Sequence, residues 1–278
     1  MKKRKIAIKS VPEILDIWEI ANIKKAVKIA AKGEPIVFAC LGIYGLGGLA
    51  KAFTNSSDNV PSISVLKDNR NFTIHPPVAL PSWKKLEKLV DWEKMSHDKI
   101  TDFMEKLYSG LPIHIVLPVR SQAKKLLPFA KVSSKGILSH AFMCSGTYKP
   151  LQTLIQLFEE KTNGVFLGTS ANPTGIDTYM TAEKVAESFP KLSIILADYK
   201  FDALAETTNW VSHTMYDFTH FPEDVRLVRK GSVHHELMIV YIDEFGIQIK
   251  IDITEVKTLT EEPPIDSFDK LKELMAGF

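Results

Sequence analysis

Gly168-Thr169-Ser170-Ala171-Asn172-Pro173-Thr174-Gly175 is the stretch on which the reading of this chain turns. It follows the apolar run Val165 to Gly168, which predicts a strand, and it gathers hydroxyl, amide and glycine groups into one loop. Such a loop has two readings. Its backbone N–H groups can form a concave nest for a phosphate, with Ser170 and Asn172 adding side-chain contacts. It can also be an Asn-Pro turn toward the next helix, with Thr and Ser bonding to nearby backbone.

Outward from this loop, helical and extended patterns alternate. Leu151 to Lys161 and Ala182 to Phe189 have helical spacing, and Leu192 to Ala197 is a buried strand. Upstream, apolar residues at Ile14, Ile17, Ile20, Ile23, Val27 and Ala30 predict one helix between Pro12 and Gly33. Pro35 to Cys40 reads as a buried strand, and Gly42 to Gly48 as a turn into a helix over Leu49 to Phe53. Strands are expected over 63–66 and 73–80, around a polar turn at Lys67 to Asn71. Helices follow after Pro81-Ser82 and over Lys99 to Tyr108, then strands over 113–119 and 136–143. Trp210 to Tyr216 and Val225 to Val228 are further strands, and Glu236 to Ile253 reads as a hairpin turning at Asp243 to Gly246. Pro263-Pro264 precedes a short terminal helix. The alternation defines an α/β class. Two units are expected, a domain over 1–233 and a small extension of hairpin and helix over 234–278.

Composition narrows the function classes. A chain of 278 residues with 45% hydrophobic and 24% charged residues can bury a full core, which excludes disordered and fibrous classes. Cys40 and Cys144 are the two cysteines, and their separation suggests neither a disulfide framework nor a zinc knuckle. A reducing, cytoplasmic compartment is therefore expected. The longest uncharged stretch, Ile36 to Ala50, is broken by glycines and too short to span a bilayer, so no membrane partner is expected. The net charge of +2 demands no polyanion, although Lys84, Lys85 and Lys88 on one predicted helix could face RNA. His234, His235 and Glu236 are adjacent on a predicted strand, which is poor ligand geometry, and no metal site is expected.

Set in this α/β pattern, Thr-Ser-Ala-Asn-x-Thr-Gly resembles the hallmark of the YrdC-like, threonylcarbamoyl-AMP synthase-like family. Further blocks follow in the family's order. Tyr44-Gly45-Leu46-Gly47 resembles its first glycine element, and Pro112 to Leu117 its Pro-Leu-Thr-Leu strand. Thr214 to Thr219 resembles its Ser-Thr-Val-Val-Asp-x-Thr strand, and Val225 to Gly231 its closing Arg-x-Gly element. Lys67-Asp68-Asn69-Arg70 is a loose counterpart of its Lys-x-Arg element, with one extra residue between the cations. The resemblance spans roughly residues 20 to 233.

It implies a twisted mixed sheet flanked by helices, with the small C-terminal extension added. It also implies a nucleotidyltransferase that joins ATP, bicarbonate and an amino acid into a carbamoyl-adenylate for tRNA threonylcarbamoyladenosine modification, with Mg²⁺ accompanying the ATP. Carried over residue by residue, Lys67, Arg70, Thr169, Ser170, Asn172 and Arg229 would bind nucleotide. Tyr44, His114 and His213 would face the amino acid.

This sequence also departs from the pattern. Ala39-Cys40-Leu41-Gly42-Ile43 replaces the run that carries the family's threonine-binding Thr. His114 stands where the family has Thr, and His213 where it has Ser. No arginine lies between 121 and 225, where the family places one on a strand. Lost hydroxyls leave substrate groups unpaired, so the departures point to a changed acceptor. They leave two other readings open: carbamoyl transfer to an acceptor other than threonine, and a non-catalytic nucleotide- or RNA-binding protein.

Overall fold

A computed structural model of the chain describes residues 11–56, 60–69, 76–95, 98–133, 135–146, 148–208, 210–248, 250–252 and 265–276. Arg70 and the predicted strand residues 73–75 lie outside the described residues.

Among the described residues the first element is β1 (Glu13–Asp16), where a helix was expected. The regular spacing Ile14, Ile17, Ile20, Ile23 conceals a break: Ile17 N donates to Ala197 O as the last rung beside a neighbouring strand. Asp16 then accepts from Trp18 N and turns the chain. Helix α1 (Ile20–Ala31) buries Ile23, Ala26, Val27 and Ala30 and leaves Ile20 exposed, so its apolar face starts one turn later than expected.

β2 (Ile36–Cys40) returns as β3 (Ile43–Gly48), where a turn into a helix was expected. Leu41 and Gly42 make the two-residue connection with φ of 49° and 80°. Positive φ at both central residues suits the right-handed twist of the two strands. Gly42 also lies under Trp210, whose ring would be 2.1 Å from an added Cβ. Next come α2 (Ala50–Thr54) and α3 (Ile63–Leu66). The latter was expected as a strand, but Ser62 caps it by accepting from Val65 N.

β4 (Val78–Ala79) precedes α4 (Trp83–Leu89) and α5 (Ile100–Gly110). β5 (His114–Pro118), β6 (Lys131–Val132) and β7 (Leu138–Met143) lead to α6 (Lys149–Thr162) and β8 (Phe166–Ser170). α7 (Ala182–Ser188), β9 (Ile194–Ala197) and α8 (Tyr199–Leu204) follow, then β10 (Met215–Asp217) and β11 (Asp224–Arg229).

The expected hairpin after Gly231 is instead α9 (Glu236–Glu244) followed by β12 (Lys250–Asp252). Leu237, Met238, Tyr241 and Ile242 are buried at helical spacing, and Gly246 ends the helix with φ of 61°. α10 (Phe268–Ala276) is the terminal helix. Leu237, Tyr241, Ile265 and Leu271 from the extension join the same hydrophobic core as the sheet.

The strands form one mixed sheet in the order β1-β9-β2-β3-β8-β4-β7-β5-β10-β11-β12, with β6 on β7. α1 and α6 pack on each other and against β2, β8 and β9. Among the described residues no helix is long and apolar enough to cross a membrane. The fold is therefore a mixed α/β sheet that brings residues from distant parts of the chain side by side.

Candidate active site

Two of the sequence blocks become neighbouring strands. β3 runs antiparallel to β8, placing Gly45 opposite Ser170, Leu46 opposite Thr169 and Gly47 opposite Gly168. Ala171 N then donates to Tyr44 O at 2.7 Å. The strand reaches two residues further than its apolar run suggested, so Thr169 and Ser170 stand at its end and the loop proper begins at Ala171.

Lys67 does not project from a surface turn. It is 1% exposed, and its ammonium group donates to Ser170 O at 2.8 Å and Asn172 O at 2.6 Å. Ser170 Oγ and Asn172 Oδ1 lie 3.4 and 3.5 Å away. Thr174 Oγ1 donates back to Lys67 O at 3.0 Å. A buried ammonium held by carbonyl oxygens is satisfied, and it fixes the loop's curvature. Asn172 closes the loop on itself, its side-chain amide donating to Ile176 O. The local-turn reading thus describes Asn172, while Thr169 and Ser170 stay half-exposed along a cavity.

That cavity has a volume of about 100 Å³ and is lined on one side by Gly168, Thr169 and Ser170. The opposite wall comes from three adjacent strands. Met215 of β10 is opposite His114 of β5 and Arg229 of β11, and His213 lies just before β10. Gly231 lets this wall close: an added Cβ would lie 2.1 Å from Ser212 O and 2.2 Å from Thr214 N.

His114 and His213 meet edge to face with ring centroids 5.0 Å apart. Their protonation follows from their partners. A guanidinium can only donate, and Arg229 Nη2 lies 3.3 Å from His114 Nδ1, which must therefore accept. The ring proton of neutral His114 is then on Nε2, 3.3 Å from His213 Nδ1. His213 carries its own proton on Nε2, 3.8 Å from Cys40 Sγ, and the Cys40 thiol donates toward Met143 Sδ at 4.0 Å. Burial holds both imidazoles neutral: His114 lies well below the usual histidine range, by burial and then by its neighbours His213 and Arg229. His213 is lowered to about 4 by burial and then by Arg229. Burial pushes the Cys40 thiol up to about 12, so it remains protonated at neutral pH. Arg229 Nε donates to His213 O at 2.9 Å and so fixes both histidines.

Tyr44 also lines the cavity, but its hydroxyl is committed behind the wall. It donates to Asp202 Oδ1 at 2.6 Å and accepts from Asp198 N at 3.3 Å. Asp198 in turn accepts from Tyr148 and Trp18. Burial raises the Asp202 carboxyl to about 6, against the hydrogen bonds from Tyr44 and Ala182 N.

The structure thus brings together Tyr44, His114, Thr169, Ser170, His213 and Arg229 around one cavity. It places Lys67 and Asn172 in the support of the loop. Cys40, Met143 and Asp202 are contacts that sequence reasoning missed. Cys40 lay in the replaced run, but nothing in its spacing connects it to His213, 173 residues away. Lys84, Lys85 and Lys88 are exposed on α4, and Lys85 is paired with Glu159. Among the described residues no group of three His, Cys, Asp or Glu side chains is arranged to hold a metal ion.

No family model and no curated protein sequence matches the chain. Solved structures do. P. abyssi Sua5 complexed with L-threonine superposes with a TM-score of 0.62 at 22% identity, over 86% of this chain and 62% of that one. A hypothetical protein, smu.1377c from Streptococcus mutans UA159, gives 0.67 at 14% identity, over 88% of this chain and all (100%) of that one. E. coli YciO gives 0.55 at 14% identity, over 81% and 98%. The chain therefore carries a YrdC-like fold, the one it shares with these structures. It spans less than two thirds of the length of P. abyssi Sua5.

Proposed function

We propose that the chain is an ATP-using enzyme that joins bicarbonate and an amino acid into a carbamoyl-adenylate, releasing pyrophosphate, with the product serving tRNA modification. One observation carries this reading: the signature strand end, Gly168 to Ser170, and the wall of His114, His213 and Arg229 face the same cavity. The resemblance to threonylcarbamoyl-AMP synthases assigns nucleotide to the strand end and to Arg229, and amino acid to His114 and His213. The likeness to a Sua5 structure that holds L-threonine supports an amino-acid ligand.

The residues present fit an anionic ligand. Arg229 brings a guanidinium to the lining, Thr169 and Ser170 bring hydroxyls, and no carboxylate is among the described residues of the lining. These groups would hold phosphate oxygens. Lys67, through the two carbonyls it binds, keeps Ser170 in place. The resemblance gives Arg70 to the phosphates as well. With no carboxylate in the lining, Mg²⁺ would arrive on the phosphates of ATP, where it supplies charge neutralisation. The protein's own contribution is positioning and fixed charge.

Pyrophosphate release from ATP and bicarbonate across a panel of amino acids tests the proposal. Release that depends on both bicarbonate and an amino acid is expected. ATP binding without product under any of these conditions would refute it and favour a nucleotide-binding protein.

A further inference from the structure

Resting on the amino-acid reading just given, we propose that the histidine wall of the cavity takes an apolar amino-acid side chain, in place of the hydroxyl-bearing side chain of threonine.

The argument is an account of polar atoms. All four ring nitrogens of His114 and His213 have partners within the wall: Arg229 Nη2, each other, and Cys40 Sγ. The direction of every bond is set by Arg229, which can only donate, and the chain of donors ends with the Cys40 thiol pointing to the Met143 thioether. No imidazole proton or lone pair is left to meet a substrate hydroxyl. Apart from the Arg229 guanidinium, given above to phosphate, and Ser212 Oγ, what this wall offers a ligand is ring edge and the thioethers of Met143 and Met215. A hydroxyl buried against such a surface loses its water and gains no partner.

The hydroxyls that line the cavity are those of Thr169, Ser170 and Ser212, while that of Tyr44 is committed to Asp202. Thr169 and Ser170 belong to β8, and β4 and β7 lie between that strand and β5. Ser212 Oγ is 3.1 Å from Thr178 Oγ1.

Valine and threonine are isosteric and differ by a methyl for a hydroxyl, so the comparison isolates the feature in question. Calorimetric titration of the full chain, saturated with a non-hydrolysable ATP analogue, is expected to show valine binding at least about tenfold tighter than threonine. In His213→Ser, which breaks the donor chain and restores a hydroxyl, the ratio is expected to move toward threonine; circular dichroism verifies its fold. Threonine binding as tightly as valine in the parent protein overturns the proposal, whatever the variant does. If the ATP analogue binds and neither amino acid does, the proposal fails while the nucleotide reading stands. If the analogue does not bind either, the proposed function falls with it.

Discussion

Lys67 donates to the main-chain oxygen of Asn172 at 2.6 Å, a buried cation held by a carbonyl 105 residues away in sequence. The same ammonium binds Ser170 O, so one side chain sets the path of the loop through which the family resemblance was first read. Its role is that of a strut inside the loop.

Lys67→Met removes that strut and leaves two carbonyls without their donor. A loss of about 3 kcal/mol is expected from the unsatisfied groups, read as a lower urea midpoint at unchanged slope. Binding of an ATP analogue should weaken at the same time. A variant with the parent's midpoint would show that the two carbonyls find water at no cost.

Acid should destabilise the protein through its histidines. His213 has a folded value of about 4, below the usual 6.5, so its contribution is fully present above about pH 6.5 and is lost as pH falls toward 4. His114 is lowered in the same direction. Asp202 acts oppositely: raised to about 6, it favours the fold below its usual range near 3.8 and loses that contribution as pH rises through 6. Urea titrations between pH 4 and 7 separate the two. A double His114→Gln, His213→Gln variant should flatten the acid loss, and Asp202→Asn should steepen it.

Gly231→Ala places a methyl group where Ser212 O and Thr214 N already stand. Backbone cannot swing aside as a side chain does, so a cost of about 1–3 kcal/mol is expected. Gly175 makes the control, because its Cβ would meet nothing within 4 Å and only its φ of 82° opposes substitution. Thermal unfolding should rank Gly231→Ala well below Gly175→Ala; equal melting temperatures would contradict the close approach.

Arg229 selects the histidine tautomers by being a pure donor at two places, His114 Nδ1 and His213 O. Nitrogen NMR at pH 7 should show both rings neutral and protonated on Nε2. Arg229→Lys cannot span both acceptors with one ammonium, so the His114 signal should become a mixture of tautomers. An unchanged spectrum would show that the guanidinium does not set the ring.

Much of this arrangement was legible in the sequence because strand ends and glycines leave local marks. The loop after Val165 and the Tyr44 block were both read, and the sheet sets them side by side. His114 and His213 stood out as departures before they proved to be in contact. Other parts gave misleading marks. Ile14 to Ile23 mimics a helix because a short strand, a turn and a helix happen to space their isoleucines evenly. The β-branched run at Ile239-Val240 suggested a strand, yet those two residues are the exposed ones, and the buried set around them is helical. Leu41 makes a turn without the Asn or Asp that usually announces one. The burial of Lys67 left no mark at all, since a lysine's partners are set by the tertiary structure.

The last strand has a consequence for the whole sheet. β12 lies parallel to β11, with Asp224, Val225 and Arg226 opposite Lys250, Ile251 and Asp252, so the first half of β11 is not left at the rim. Without residues 250–252, Asp224–Arg226 would expose a short row of unpaired N–H and C=O groups at the start of β11. Such a row is a template for another chain. The short C-terminal strand thus covers the stretch of β11 that starts at Asp224 against pairing with another chain.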